Sequence, residues 1–219
     1  MDKPLIIINF KNYQKVSGKS SLNFVKKLNK FRKRKYEIIL CPTILTTSLV
    51  VKNSKFKVFT QFVNKTNYGA HTGNICLDEL QSLGVTGCLL NHSEKKIKFD
   101  KLTKIVALCK KKKIKTIVCA STLSEVKNIA ELKPDYIAYE AKQLIGGNIS
   151  ITEAKPEIIL KAVEEVKKIS RRTKILCGAG IHSKEDLGHA LILGAQGVLI
   201  AHSIIESKNP KKFLEEMLI

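Results

Sequence analysis

Four polar residues interrupt otherwise apolar stretches of the chain: Asn9 and Lys11 in "INFKNY", His92 in "LLNHSE" and Glu140 in "YIAYE". A carboxylate that takes a proton from carbon, an imidazole that hydrogen-bonds a carbonyl oxygen, and an ammonium that steadies the resulting negative charge are together the parts of acid–base chemistry beside a carbonyl. Each residue also has a plainer role, as a solvated lysine, a capping histidine or a strand-end salt bridge. Only their convergence would decide for chemistry.

Local context sharpens each candidate. Along an extended strand side chains alternate, so Asn9 and Lys11 are expected on one side and Phe10 on the other. His92 is followed by Ser93 and Glu94, which read as the cap and first turn of a helix; the positive end of its dipole favours a neutral ring able to donate to an oxyanion. Glu140 leads into "AKQLIGGN", a lid-like segment with an apolar tip at Leu144 and Ile145 and a permissive end at Gly146 and Gly147. Such a lid would desolvate the carboxylate and raise its basicity. Further on, Gly178 and Gly180 in "CGAGIHSKED", before a helix opening at Ser183, and Ala201, His202 and Ser203 in "GVLIAHSII", offer backbone N–H groups to an anion.

The elements that must position these residues are legible as an alternation. Residues 5–10, 36–41, 56–61, 87–91, 115–120, 136–140, 173–178 and 197–201 are short β-branched or apolar runs, each read as a buried parallel strand. Between them lie stretches of helical period, including 21–34, 99–113, 153–170 and 183–194. Eight β-then-α units without a linker point to a closed (β/α)₈ barrel, with an open doubly wound sheet as the alternative. A chain of 219 residues suits one domain, residues 1–219. In such a barrel the working residues sit where strands end, which is where the four candidates stand.

Composition narrows the partners. The net charge is +20, from 39 Lys+Arg against 19 Asp+Glu, and a charge of that size suits an anionic ligand, a nucleic acid or an acidic surface. Arginine occurs only at Arg32, Arg34, Arg171 and Arg172, however, and base and phosphate readout favour arginine over lysine. Nucleic acid is therefore not the expected partner, and the lysine runs read as solvated helix faces. The six cysteines show neither a C-x-x-C pair nor histidine at metal-ligand spacing, and read as buried thiols in a reducing compartment. The apolar run in "MDKPLIIINF" is too short for a signal or a membrane span, so a cytoplasmic protein without membrane association is expected.

Taken in order, "NFKNY", "GAHTG" (69–73), "LNHSE" (90–94), "YEAKQLIGG" (139–147), "CGAGI" (177–181) and "GVLIAHSII" (197–205) make the chain resemble triosephosphate isomerases of the compact archaeal type across almost its whole length. The resemblance implies a barrel enzyme without metal or organic cofactor. Carried onto this chain, it makes Glu140 the base and His92 the neutral electrophile, the roles that the handling of this reaction by a glutamate, a histidine and a closing loop has made a standard example. Lys11 would stabilise negative charge, Asn9 would orient the substrate and Glu94 would support these groups. The phosphate would rest on backbone near Ile145, Gly146, Gly180, Ala201 and His202. The resemblance also implies a homodimer in which residues 64–74 reach a neighbouring subunit; a tetramer through the fourth and fifth helices meets repulsion from "KKKK" at 110–113. Departures are Ala141 in place of a proline, "IGGN" in place of "IGTG", "AHS" in place of serine and glycine, and Lys96 near an expected arginine. The competing readings are another phosphosugar-binding barrel and a decayed barrel that binds nucleic acid.

Overall fold

The computed structural model describes residues 3–32, 35–140 and 151–218. The eight runs become eight strands: β1 Leu5–Asn9, β2 Glu37–Cys41, β3 Lys57–Thr60, β4 Gly87–Leu90, β5 Lys115–Ala120, β6 Tyr136–Tyr139, β7 Lys174–Cys177 and β8 Gly197–Ile200. All pair in parallel with their sequence neighbours, and β8 returns to β1 with Leu5 opposite Gly197, so the sheet closes. This is the (β/α)₈ barrel, and closure removes the open-sheet alternative.

Alternation along each strand sorts side chains into two cores. Leu5, Ile7, Ile39, Cys41, Phe59, Leu89, Ile117, Cys119, Leu176 and Leu199 fill the barrel, while Ile6, Ile8, Phe10, Leu40, Val58, Leu90 and Val118 face the helices. Gly87 is needed inside: a Cβ there would stand 2.3 Å from Phe59 Cζ. Outside, Phe10 meets Phe24 edge to face at 5.3 Å.

The helices are α1 Ser20–Leu28, α2 Thr47–Asn53, α3 Leu77–Ser82, α4 Phe99–Lys111, α5 Leu123–Glu131, α6 Ile151–Ala154, α7 Pro156–Ile169, α8 Lys184–Ile192, α9 His202–Glu206 and α10 Pro210–Met217. Three differ from the sequence reading. The span 153–170 is two helices, because Pro156 can open a helix but not continue one. The span 21–34 ends its regular helix at Leu28. The helix after His92 begins at Phe99, not at Ser93. Ser183 does cap α8 as expected, with Asp186 completing a reciprocal capping box. None of the described helices is long and apolar enough to cross a membrane.

Candidate active site

The inward-facing register runs one step past the apolar filling of the barrel and so delivers polar groups to the rim. Asn9 follows Leu5 and Ile7, Gln61 follows Phe59, and Glu140 follows Ala138. Asn9 and Glu140 are both buried, Glu140 to 1 % exposure. At this rim Asn9, Lys11, His92, Glu94 and Glu140 come together.

Asn9 and Lys11 do not meet through strand alternation, because β1 stops at Asn9 and Lys11 turns into the left-handed region at φ 45°. The Lys11 backbone N–H instead donates to Asn9 Oδ1 at 3.0 Å. The Gln61 side-chain amide then reaches Asn9 Oδ1 at 3.3 Å, the Lys11 carbonyl at 3.1 Å and the Cys41 carbonyl at 3.0 Å. Gln61 thus fastens the ends of β1 and β2 to its own strand. A left-handed backbone at a non-glycine residue costs on the order of 1–3 kcal/mol and persists where surrounding bonds enforce it. The reward is direction: Lys11 Nζ comes 2.6 Å from Glu94 Oε1.

His92 is held by a different device from the one expected. Asn91 turns left-handed at φ 58°, donates its amide to the Cys119 carbonyl at 2.9 Å and accepts from the Ile97 N–H at 3.0 Å. Residues 92–98 are thereby a stapled turn, and the helix that follows His92 begins only at Phe99. The Glu94 backbone N–H donates to His92 Nδ1 at 3.2 Å. An Nδ1 that accepts carries no proton, so the ring proton is on Nε2. Nε2 stands 3.1 Å from Glu140 Oε1.

Glu140 is fixed from behind. Its N–H donates to the Ala120 carbonyl at 2.8 Å, and its side chain lies flat against Gly178, where a Cβ would come within 2.8 Å of Glu140 Cγ. Its second oxygen, Oε2, is buried without a hydrogen-bond partner among the described residues. A buried carboxylate oxygen without a partner is free to accept a proton. Burial, and then the neighbouring negative charge of Glu140, hold the Cys119 thiol well above its ordinary range, so that thiol offers the carboxylate no competing negative charge.

Two cavities share these residues. The smaller, about 50 Å³, is lined by Lys11, His92 and Glu140 on one side and by Gly178, Gly180, Ala201 and His202 on the other. The larger, about 720 Å³, opens beside it over Asn9, Lys11, Asn12, Tyr13, Leu45, Gln61 and Glu94. Gly180 is left-handed at φ 66°, and His202 leans on Tyr13 with ring centroids 5.9 Å apart. Ile145 and Gly146 lie outside the described residues, as do Ala141, Gly147 and Asn148. Among the described residues no group of three or more His, Cys, Asp or Glu side chains is arranged to hold a metal ion.

Two lysines of the "HSEKK" stretch have structural employment. Lys95 Nζ sits 4.7 Å above the Phe62 ring, and Lys96 pairs with Glu125 at 2.9 Å. Gln61 and Asn91 are the residues that sequence reasoning passed over as site residues. Their signal was position alone, a polar side chain at the end of a buried strand.

A carboxylate and the N–H of a neutral imidazole in one pocket, beside an ammonium and opposite a glycine-lined wall, suit proton transfer next to a carbonyl in an anionic substrate. The family model for triosephosphate isomerase matches residues 4–217. The chain is 36% identical over 219 residues to the triosephosphate isomerase of Methanothermus fervidus, covering 100% of this chain and 99% of that protein. It is 36% identical to those of Methanocaldococcus jannaschii, over 98% of both chains, and Thermoplasma volcanium, over 97% of this chain and 98% of that one. The chain belongs to the triosephosphate isomerase family, whose archaeal members it matches from end to end.

Proposed function

We propose that the chain interconverts dihydroxyacetone phosphate and D-glyceraldehyde 3-phosphate with Glu140 as base, His92 as electrophile, Lys11 as the positive charge and Asn9 as the orienting amide. The reaction itself follows from the family. The contact that carries the assignment of residues is His92 Nε2 to Glu140 Oε1 at 3.1 Å: base and donor address adjacent points in space, as a C–H and the neighbouring carbonyl oxygen require.

The protons balance within the site. Glu140 takes a proton from C1 of the ketose while Nε2–H hydrogen-bonds the C2 oxygen, which becomes an enediolate oxygen. His92 passes a proton to O2 and recovers one from O1. Glu140 returns its proton to C2, and the aldose results. Lys11, held in place by Glu94, faces the developing negative charge. A 50 Å³ cavity has room for one or two waters, so a triose phosphate must part Glu140 from His92 as it binds. The substrate thus exchanges places with the 3.1 Å contact, and its reacting atoms meet both groups.

The phosphate rests on the backbone N–H groups of Gly180, Ala201 and His202, with Ile145 and Gly146 supplying the remainder from the lid. No metal or cofactor takes part. No observation favours a different phosphosugar or a decayed site, and a site with its acid–base groups in bonding distance argues against both. Residues 1–219 act as one barrel domain in the cytoplasm. The protein works as a homodimer in which residues 64–74 of one copy fill the 720 Å³ cavity of the other; Leu45, 93 % exposed at its rim, would be covered there. A tetramer is the larger assembly to test for by sedimentation.

The test is a coupled assay of glyceraldehyde 3-phosphate isomerisation. Glu140→Ala lowers kcat by at least about 10²–10⁴-fold, as loss of a general base does, and His92→Gln by about 10²–10³-fold. Equal activity of Glu140→Ala and parent would end the assignment.

A further inference from the structure

The barrel has a second furnished cavity at the end remote from Glu140. Lys3 precedes β1, Tyr36 precedes β2, and Lys55 and Phe56 precede β3, so all lie where strands begin. Together with Arg32, Phe31 and Ile38 they line about 380 Å³, a volume in the range of small-molecule sites. Phe31 and Ile38 are buried and form an apolar floor; Phe56 and Tyr36 are half-buried walls.

Two of the three cations are held in place. Arg32 Nη1 donates to the Asn29 carbonyl at 2.9 Å, and Lys55 Nζ donates to the Phe31 carbonyl while standing 5.1 Å from the centre of the Phe56 ring. These bonds close the C-terminal end of α1, a sufficient reason for one N–H from each residue. Among the described residues they leave four guanidinium and two ammonium donors uncommitted, and they do not account for Lys3. They also hold two like charges close together. Partial burial and then the Arg32 charge push Lys55 below the ordinary lysine range, and among the described residues no carboxylate lines the cavity. Glu37, at the start of β2, is engaged by Lys57 at 2.7 Å.

We propose that this cavity binds a nucleoside polyphosphate, with the base against Phe56 and Tyr36 and the phosphates on Arg32, Lys55 and Lys3. Inorganic phosphate is too small for the volume and would leave the apolar floor unused. An uncharged planar molecule would leave the cations unrelieved. Only an anion of several charges joined to a flat apolar body answers both, and guanidinium grips its phosphate in two-pronged fashion. The site is separate from the catalytic rim, so occupancy does not require an open active site.

The experiment titrates ADP into the full-length protein by calorimetry, with glycerol 3-phosphate present at a concentration that saturates the catalytic rim. ADP is expected to bind once per chain, with pyrophosphate and adenosine each at least about tenfold weaker. Arg32→Gln and Lys3→Gln each weaken ADP about tenfold or more and leave kcat within about twofold of the parent. Lys3→Gln also keeps the parent's melting temperature, which separates lost binding from a loosened α1. The proposal fails if the parent does not bind ADP, if pyrophosphate or adenosine binds as tightly as ADP, or if both variants bind ADP as the parent does.

Discussion

Gly178→Ala separates two readings of the glycines after β7. As an anion-binding element, Gly178 would matter through its backbone N–H, which alanine retains. As a clearance for the base, it matters because it has no Cβ. The structure argues for clearance. A Cβ would stand 2.8 Å from Glu140 Cγ and 3.2 Å from the Tyr139 carbonyl oxygen, short of ordinary carbon–carbon contact by roughly 0.7 Å. Glu140 Cγ is close to the backbone and cannot swing away freely, so the carboxylate must shift by a similar distance, away from His92 Nε2. Gly178 has no positive φ, so alanine adds no backbone strain and the displacement is the whole effect. A misplacement of about 1 Å in a reacting group costs up to about 10²-fold in rate. The expected result is a kcat lower by about 10–10²-fold with KM within about threefold of the parent. Overpacking should also cost about 1–3 kcal/mol, lowering Tm by several degrees for a chain of this length. Steady-state kinetics by the coupled assay, with thermal unfolding on the same preparation, measures both. Unchanged kcat and KM would refute the clearance argument, since alanine retains the backbone N–H that the other reading needs.

Gln61→Leu removes three hydrogen bonds at once and leaves three acceptors at the rim unpaired by the side chain, so kcat/KM should fall about 10–10²-fold as Lys11 loses its fixed direction; an unaffected kcat/KM would show that the Asn9–Lys11 turn holds itself. The net charge of +20 should draw in a dianionic substrate, so raising ionic strength from about 20 to 200 mM should lower kcat/KM severalfold while kcat stays level; a kcat that falls in parallel would place the salt effect within the chemistry. Burial pushes the Cys177 thiol up from 9.0 to about 12. The folded chain therefore keeps this proton to higher pH than the unfolded chain, and stability complete below pH 9 is lost above it, by about 1.4 kcal/mol per pH unit until pH approaches 12. Chemical denaturation between pH 8 and 11 should show a shallower decline in Cys177→Ala than in the parent, and identical slopes would contradict the buried-thiol account.

The strands were legible because each must be buried on both faces, and only a run of apolar residues satisfies that. β5 matches its sequence run end for end, and the other seven differ by a single residue at one or both ends. The residues that break the runs were legible as candidates for the same reason: Asn9 and Glu140 occupy inward positions that burial would otherwise give to an aliphatic side chain. What sequence could not supply was how they are held. Ser93 looked like a helix cap, but the residue three places on is Lys96, where a glutamate or glutamine would complete a capping box. Asn91 prevails by bonding β5 on one side and Ile97 on the other, and the helix is deferred to Phe99. The neutral tautomer of His92 then comes from one backbone N–H instead of a helix dipole. Gln61 was invisible for a related reason: its three acceptors belong to residues 20, 50 and 52 positions away, and they converge only once the barrel closes. Local pattern thus selects which groups reach the rim. Their direction is set by bonds between strands, and those bonds exist only in the closed sheet.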